Sequence, residues 1–191
     1  MGGNMLLTIG SLVLFGMFLS LTNKLMIGNN QIATQNEYYI AGLSLAQSII
    51  DEAKTKAFDE KTFSGSVSSR SALTSPDSLT RDGVSEKAVP LPDTLSSVSP
   101  YSSTNKGYLS SIRFNDIDDY NGYTRLVNTP RAEGYKLSLS VNYASETSPD
   151  LSSASKTYCK KMTVKVTSPY FPKSGSGGGP DTLAITYAFT Y

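Results

Sequence analysis

The sequence predicts an α+β fold in which a long N-terminal helix packs on a small antiparallel β-sheet. Two patterns lead to this prediction. The first 58 residues have helical spacing, apolar on every face at first and amphipathic afterwards. The C-terminal third of the chain alternates apolar and polar residues, which is typical of strands with one buried face. An amphipathic helix that covers the apolar face of such a sheet gives a two-layer head.

The first part of the predicted helix contains an uninterrupted apolar run. Residues 5–21 read MLLTIGSLVLFGMFLSL and carry no charge. A helix that is apolar on all sides needs lipid or other apolar helices around it. Residues 1–30 are therefore predicted to lie in a membrane or in the core of a filament. The side chains expected to fill that core are Leu6, Leu7, Ile9, Leu12, Val13, Leu14, Phe15, Phe18, Leu19 and Leu21.

The second part of the helix, residues 31–58, is amphipathic. Apolar residues recur there every three or four positions, a spacing that places them on one stripe of a helix. The residues expected to pack on the sheet are Tyr39, Leu43, Ala46, Ile50 and Ala53. About 54 helical residues at ~1.5 Å each would give a rod of about 80 Å, more than twice the ~30 Å hydrocarbon core of a membrane.

Three alternating segments near the C-terminus predict an antiparallel meander. In residues 135–143 and 182–191 every second side chain is bulky and apolar, and residues 158–166 repeat the pattern around Cys159-Lys160-Lys161. We assign residues 108–191 to this β region and residues 31–191 to one head.

The segment between helix and sheet has a different composition. Residues 59–107 are rich in serine and proline, which predicts an irregular loop around the head. A second loop, residues 168–181, contains the run Ser174-Gly175-Ser176-Gly177-Gly178-Gly179. This run lacks the Gly-Lys-Ser/Thr ending of a phosphate-binding loop, so a flexible linker is favoured over a nucleotide site.

The composition argues against an enzyme. Histidine, the commonest general base and metal ligand, is absent, and the single cysteine, Cys159, permits neither an intrachain disulfide nor a thiolate metal cluster. The net charge of +1 gives no sign of nucleic-acid binding. We expect no catalytic residues, no cofactor and no nucleic-acid partner.

One acidic stretch allows two interpretations. Asp116, Asp118 and Asp119 could offer carboxylate ligands to calcium, although the spacing of an EF-hand loop is not met. The alternative is a polar turn, in which the aspartates cap local amides and Asn121-Gly122 supplies a positive φ.

The overall design resembles the type IV pilin and pseudopilin superfamily. The shared features are an apolar helical half, an amphipathic half that follows without a break, and a small sheet in the remaining chain. The basic leader of that family and its glutamate at the fifth mature residue have no counterpart, since no acidic residue precedes Glu37. The resemblance implies a filament subunit that partners with copies of itself in a helical homopolymer and with a pilus or secretion assembly machinery. It also implies a place in the inner membrane before assembly and at the cell surface afterwards.

Other interpretations of the apolar run remain open. A cleaved signal peptide fits poorly, because no Lys or Arg precedes the run and no small-residue cleavage site follows it. A second alternative is a single membrane anchor. Lys24 follows the run, and a basic residue there favours a cytoplasmic location for the C-terminal end of the run. The alternative functions are thus a membrane-anchored periplasmic or surface binding protein, or a minor pilin or pseudopilin of a secretion system.

Overall fold

The structure is a computed structural model that describes residues 2–63, 65–76, 89, 91–94, 107–172 and 179–191. The chain divides into two compact units, Met1–Tyr38 and Tyr39–Tyr191. Most of the predicted Ser/Pro-rich loop and most of the glycine run, residues 173–178, lie outside the described residues. The predictions of an irregular loop and of a flexible linker at those positions therefore stay predictions.

Helix α1, Gly2–Lys54, provides all of the described residues in the first unit. The cluster Gly28-Asn29-Asn30 does not interrupt it. The helix ends four residues before the predicted boundary at residue 58. The chain turns there because Ala57 pairs with the turn around Asp116: its amide donates to the Asn115 carbonyl at 2.9 Å, and its carbonyl accepts from Ile117 at 3.1 Å.

The second unit contains a five-stranded sheet in the order β1-β2-β3-β4-β5. The strands are β1 Asp93–Thr94, β2 Thr124–Val127, β3 Tyr135–Tyr143, β4 Cys159–Thr167 and β5 Thr182–Thr190. The three predicted strands are confirmed as an antiparallel meander, and β2 extends it. The prediction of a wholly antiparallel sheet is wrong, because β1 from the Ser/Pro-rich segment pairs parallel with β2. The α+β class is confirmed. The described part of this unit also contains two short helices, α2 Glu60–Phe63 and α3 Leu109–Arg113, and 3-10 turns at Arg70–Ala72 and Asp118–Tyr120.

The strand register aligns the apolar side chains in rows across the sheet. Leu139 pairs with Val164, which pairs with Ile185 on β5. The apolar side chains of these rows are buried on β3 and β4. On β5 only Phe189 is buried, and Tyr187 is 38% exposed. Strand β5 forms one edge of the sheet, so its apolar face is covered less completely.

Helix α1 covers the sheet with the predicted stripe except at one position. Ala46, Ile50 and Ala53 are buried, and Tyr39 is half-buried against Phe171, with the two rings stacked at 4.6 Å. The prediction for Leu43 is wrong, because its side chain is 48% exposed.

Besides the predicted residues, Gly42 and Ile49 belong to the buried stripe. A Cβ atom on Gly42 would lie 2.9 Å from Cζ of Phe171 and 3.6 Å from Cγ1 of Val166. The missing side chain thus lets the helix approach the sheet closely. Because successive residues differ by about 100° around a helix, this approach turns Leu43 towards solvent.

Candidate assembly surface and buried charge clusters

The predicted filament-core side chains form an exposed apolar surface on α1. Their exposed fractions range from 47% at Leu19 to 75% at Leu7. By length and composition the helix could cross a membrane, and no residue of its most apolar 18-residue window is buried within the described structure. We name this surface, formed by the ten predicted core residues, the apolar sleeve. It needs an apolar environment that the described part of the chain does not provide.

Three hydroxyl groups beside the residues of the apolar sleeve bond to their own helix. Thr8 Oγ1 donates to the Met5 carbonyl at 2.8 Å, Ser11 Oγ to the Thr8 carbonyl at 2.9 Å, and Thr22 Oγ1 to the Phe18 carbonyl at 2.8 Å. A hydroxyl that is already hydrogen-bonded costs much less to transfer from water into an apolar environment. These polar residues therefore do not prevent the sleeve from entering lipid or a helix bundle.

Small residues leave gaps in the sleeve. A Cβ atom added at Gly10 or Gly16 would meet no atom within 4 Å. Such positions let a second helix approach the backbone closely, as small residues do in membrane helix bundles. The sleeve thus has both the chemistry and the shape to pack against similar helices.

The three aspartates of the calcium hypothesis form a capped turn. Asp119 Oδ2 accepts the amides of Asn115 at 3.0 Å and Asp116 at 3.3 Å, and Asp116 Oδ1 accepts the amide of Asp119 at 3.1 Å. Gly122 has a φ of 75°, as the turn interpretation requires. No group of three or more His, Cys, Asp or Glu side chains within the described ranges could hold a metal ion. These contacts agree with the polar-turn interpretation of Asp116, Asp118 and Asp119, and the described residues give no support to the alternative of a calcium site.

The positive charge beside Asp118 is that of a lysine side chain. Lys160 on β4 is fully buried, and its Nζ lies 2.8 Å from Asp118 and 2.8 Å from Asp59 Oδ2, and donates to the Phe58 carbonyl at 2.9 Å. Thr74 Oγ1 lies 2.8 Å from Oδ2 of each of the two aspartates. We name Lys160, Asp59, Asp118 and Thr74 the lysine cluster. It joins β4 to the chain after α1 and to the turn that contains Asp116, Asp118 and Asp119, which we name the aspartate turn.

The aspartates in and beside the lysine cluster have divergent acidities. Burial acts to raise the pKa of Asp59, but the hydrogen bond and charge of Lys160 outweigh it, so this pKa is lowered. For Asp118 burial wins over Lys160, and its pKa is raised. Burial and then the charges of Asp118 and Asp119 raise the pKa of Asp116 to about 8. Asp59 is thus the carboxylate of the cluster, and Asp118 the group that more readily keeps a proton.

Sequence reasoning missed the lysine cluster. Lys160 alternates in phase with Met162 and Val164, and all three side chains are buried. A charged residue at a buried position of a strand needs a partner, and this was the available signal. The partners Asp59 and Asp118 are distant in sequence, so the signal could not name them.

A second buried cluster ties α1 to the sheet. Arg125 Nη2 on β2 lies 2.7 Å from Glu52 Oε2 on α1, and the Tyr120 hydroxyl donates to Glu52 Oε1 at 2.9 Å. Asp93 Oδ2 on β1 accepts the Tyr123 hydroxyl at 2.7 Å and the Ser110 amide at 3.1 Å. These contacts give β1 its place in the sheet. They hold the fold of the second unit together.

Cys159 is buried on β4, and burial followed by the charge of Glu146 raises its pKa. A buried thiol with a raised pKa is a poor nucleophile. Its place in the structure agrees with a packing role.

Comparisons of the chain with protein-family models, with curated proteins and with solved structures found no match.

Proposed function

We propose that the chain is a structural subunit of an extracellular pilus-like filament. In this filament the N-terminal helices bundle into a core, and the heads lie on the outside. The observation that carries the proposal is the apolar sleeve, a charge-free surface exposed around α1. Exposed apolar surface of this extent is stable only when lipid or protein covers it. Lipid covers it before assembly, while the subunit lies in the inner membrane, and neighbouring subunits cover it afterwards.

The driving force is the burial of apolar area. If each subunit buries on the order of 1,500 Å² of helix surface, the coefficient of ~25 cal/mol per Å² gives tens of kcal/mol before the ordering costs are subtracted. One head-to-tail contact, repeated by a helical operation, then extends the polymer without closing it. Internally bonded hydroxyls and glycine gaps support this close packing.

The partners of the proposed subunit are copies of itself, the inner membrane and a pilus or secretion assembly machinery. The arrangement of a long N-terminal helix and a small sheet supports a pilin-like subunit over an enzyme. A minor pilin or pseudopilin would use the same sleeve to start or cap a filament.

The proposal is tested by removal of the sleeve. A chain of residues 29–191 retains all of the second compact unit, Tyr39–Tyr191. We expect it to be a soluble monomer with a folded head, whereas the full chain gives surface fibres. Negative-stain electron microscopy of sheared cell-surface material, with light scattering of the truncated chain, measures both.

Two outcomes would contradict the proposal. Fibres of the same form from residues 29–191 would show that the sleeve is not the core. A full chain that stays in the membrane and functions without fibres would favour an anchored binding protein. Circular dichroism of the truncated chain provides the control for folding.

A further inference from the structure

The amine of Lys160 lies beside the carboxyl carbon of Asp118. Nζ is 2.8 Å from Oδ1 and 2.8 Å from Oδ2 of that side chain. Two equal distances place the nitrogen in the plane that bisects the carboxylate, and this plane contains Cγ.

The two side chains form a buried ion pair. Nζ contacts both oxygens of Asp118 and donates a hydrogen bond to Oδ2. The Lys160 side chain is 0% exposed and that of Asp118 is 8% exposed, and the Phe58 ring lies 4.7 Å from Nζ. A buried ion pair carries a desolvation penalty that a neutral product would not have.

The second carboxylate of the lysine cluster is placed to move protons. Asp59 Oδ2 lies 2.8 Å from Nζ, and the Thr74 hydroxyl bridges it to Asp118 Oδ2 with 2.8 Å at each step. Asp59 also accepts the amides of Thr74 and Lys61, at 2.9 and 3.1 Å. These donors keep Asp59 ionised, so it has a lone pair free to accept a proton, and the anion is a poor electrophile.

We propose that Lys160 and Asp118 condense to an intramolecular amide, a covalent cross-link between β4 and the aspartate turn. The Lys160 ammonium first passes a proton to Asp118, which gives a neutral amine and a carboxylic acid. The nitrogen lone pair attacks Cγ and forms the N–C bond. Asp59 takes a proton from the nitrogen, and Thr74 relays this proton from Asp59 to Oδ2, which already carries the proton that Lys160 gave up. The Cγ–Oδ2 bond breaks, one water leaves, and Oδ1 becomes the amide oxygen.

The step needs no other reagent. One ammonium and one carboxylate give one amide and one water, and Asp59 ends as it began. Nothing is oxidised or reduced. The fold supplies the proximity that makes such a condensation effectively unimolecular, and burial disfavours the charged reactants relative to the neutral amide. The raised pKa of Asp118 and the lowered pKa of Asp59 agree with these two roles.

The cross-link would act as a covalent staple. It closes the loop from residue 118 to residue 160, and a closed loop reduces the entropy of the unfolded chain. Because the chain has one cysteine, an intrachain disulfide cannot provide this staple. The inference is independent of filament formation.

The test is the intact mass of the folded, purified full chain, measured after denaturation in detergent. We expect a mass lower than the sequence mass by one water. Proteolysis and tandem mass spectrometry should yield a branched peptide that joins Lys160 to Asp118, which distinguishes the amide from a succinimide elsewhere. A chain at full sequence mass, with trypsin cleaving after Lys160, would overturn the proposal.

Variants test the assignment of the atoms. Lys160→Arg and Asp118→Ala should restore the full sequence mass of each variant, and Asp59→Asn should slow or abolish the loss of water. The matched control is Lys161→Arg, because Lys161 is the next residue on β4 and its Nζ bonds to the Asp150 carbonyl. This control should still lose one water. Loss of water from Lys160→Arg would contradict the assignment.

Discussion

The two halves of helix α1 are both apolar, but they find different partners. Residues 39–54 bury Ala46, Ile50 and Ala53 against the sheet of their own chain. The apolar sleeve in residues 6–21 leaves all ten of its side chains exposed. Folding of the chain covers the apolar face of residues 39–54 but not the apolar sleeve. The second half of the helix therefore stabilises the second unit, and the first half leaves its apolar surface uncovered.

The contrast also concerns charge. The sleeve contains no ionisable residue, whereas Glu52 in the second half forms a buried ion pair with Arg125. A buried ion pair holds its two side chains in one position, because a buried charge that moves away from its partner is no longer neutralised. An uncharged surface has no such requirement, and it can exchange lipid for protein. Four substitutions test this comparison.

The largest effect is expected at the ion pair. Glu52→Gln keeps an oxygen for the hydroxyls of Tyr120 and Ser110 but leaves the buried Arg125 without its counter-charge. Loss of one partner of a buried pair costs about 3–5 kcal/mol, so urea unfolding of residues 29–191 should shift strongly. The control is Asp51→Asn, which removes the exposed pair with Lys54 and should leave unfolding unchanged. Equal midpoints for the two variants would contradict the account.

The next effect concerns the buried stripe. Ile50 is 1% exposed, and Ile50→Ala in residues 29–191 should reduce the free energy of unfolding by about 2–5 kcal/mol. Thermal or urea denaturation measures the loss. A cost near zero would mean that this face of the helix is not held by the sheet.

Gly42→Ala tests the close approach of helix and sheet. Alanine raises helix propensity, but its Cβ would lie 2.9 Å from the Phe171 ring. We expect a net cost of about 1–3 kcal/mol, as for other overpacked sites. Ser48→Ala, at an exposed position of the same helix, is the control and should be neutral or stabilising. A stabilised Gly42→Ala variant would place Phe171 away from the helix.

The smallest effect is expected at Leu43. Its exposed side chain lines a shallow groove with Ser44, Gln47, Ser48 and Asp51. Leu43→Ala should therefore change the free energy of unfolding by at most about 0.5 kcal/mol, as surface substitutions do. Urea unfolding measured in parallel with Ile50→Ala decides the point. Similar losses at the two positions would restore the stripe that the sequence suggested.

The sequence predicted those parts of the fold that local patterns control. Alternation identified β3, β4 and β5, and helical spacing identified α1. Parts that depend on distant contacts were not predictable in this way. Strand β1 is two residues long and owes its place to the bonds of Asp93 with Ser110 and Tyr123. The error at Leu43 has a similar cause. The orientation of the helix depends on the contact between Gly42 and Phe171, two residues that are far apart in the sequence.

The same distinction between local patterns and distant contacts applies to the candidate sites. The apolar sleeve is visible in the sequence, because it is one uninterrupted run. The lysine cluster is not, since its members come from residues 59, 74, 118 and 160. Within the aspartate turn, local spacing was enough to suggest capping, but it could not exclude calcium.

The most direct test of the assembly account is a single charge near the end of the sleeve. Ser20 is exposed on α1. In Ser20→Asp the carboxylate could reach the lipid interface of a membrane, but in a helix bundle every subunit would bury it unpaired. We expect normal membrane insertion, a folded head and no fibres in electron micrographs, while the neutral control Ser20→Asn still forms fibres. Normal fibres from Ser20→Asp would contradict a dry helical core.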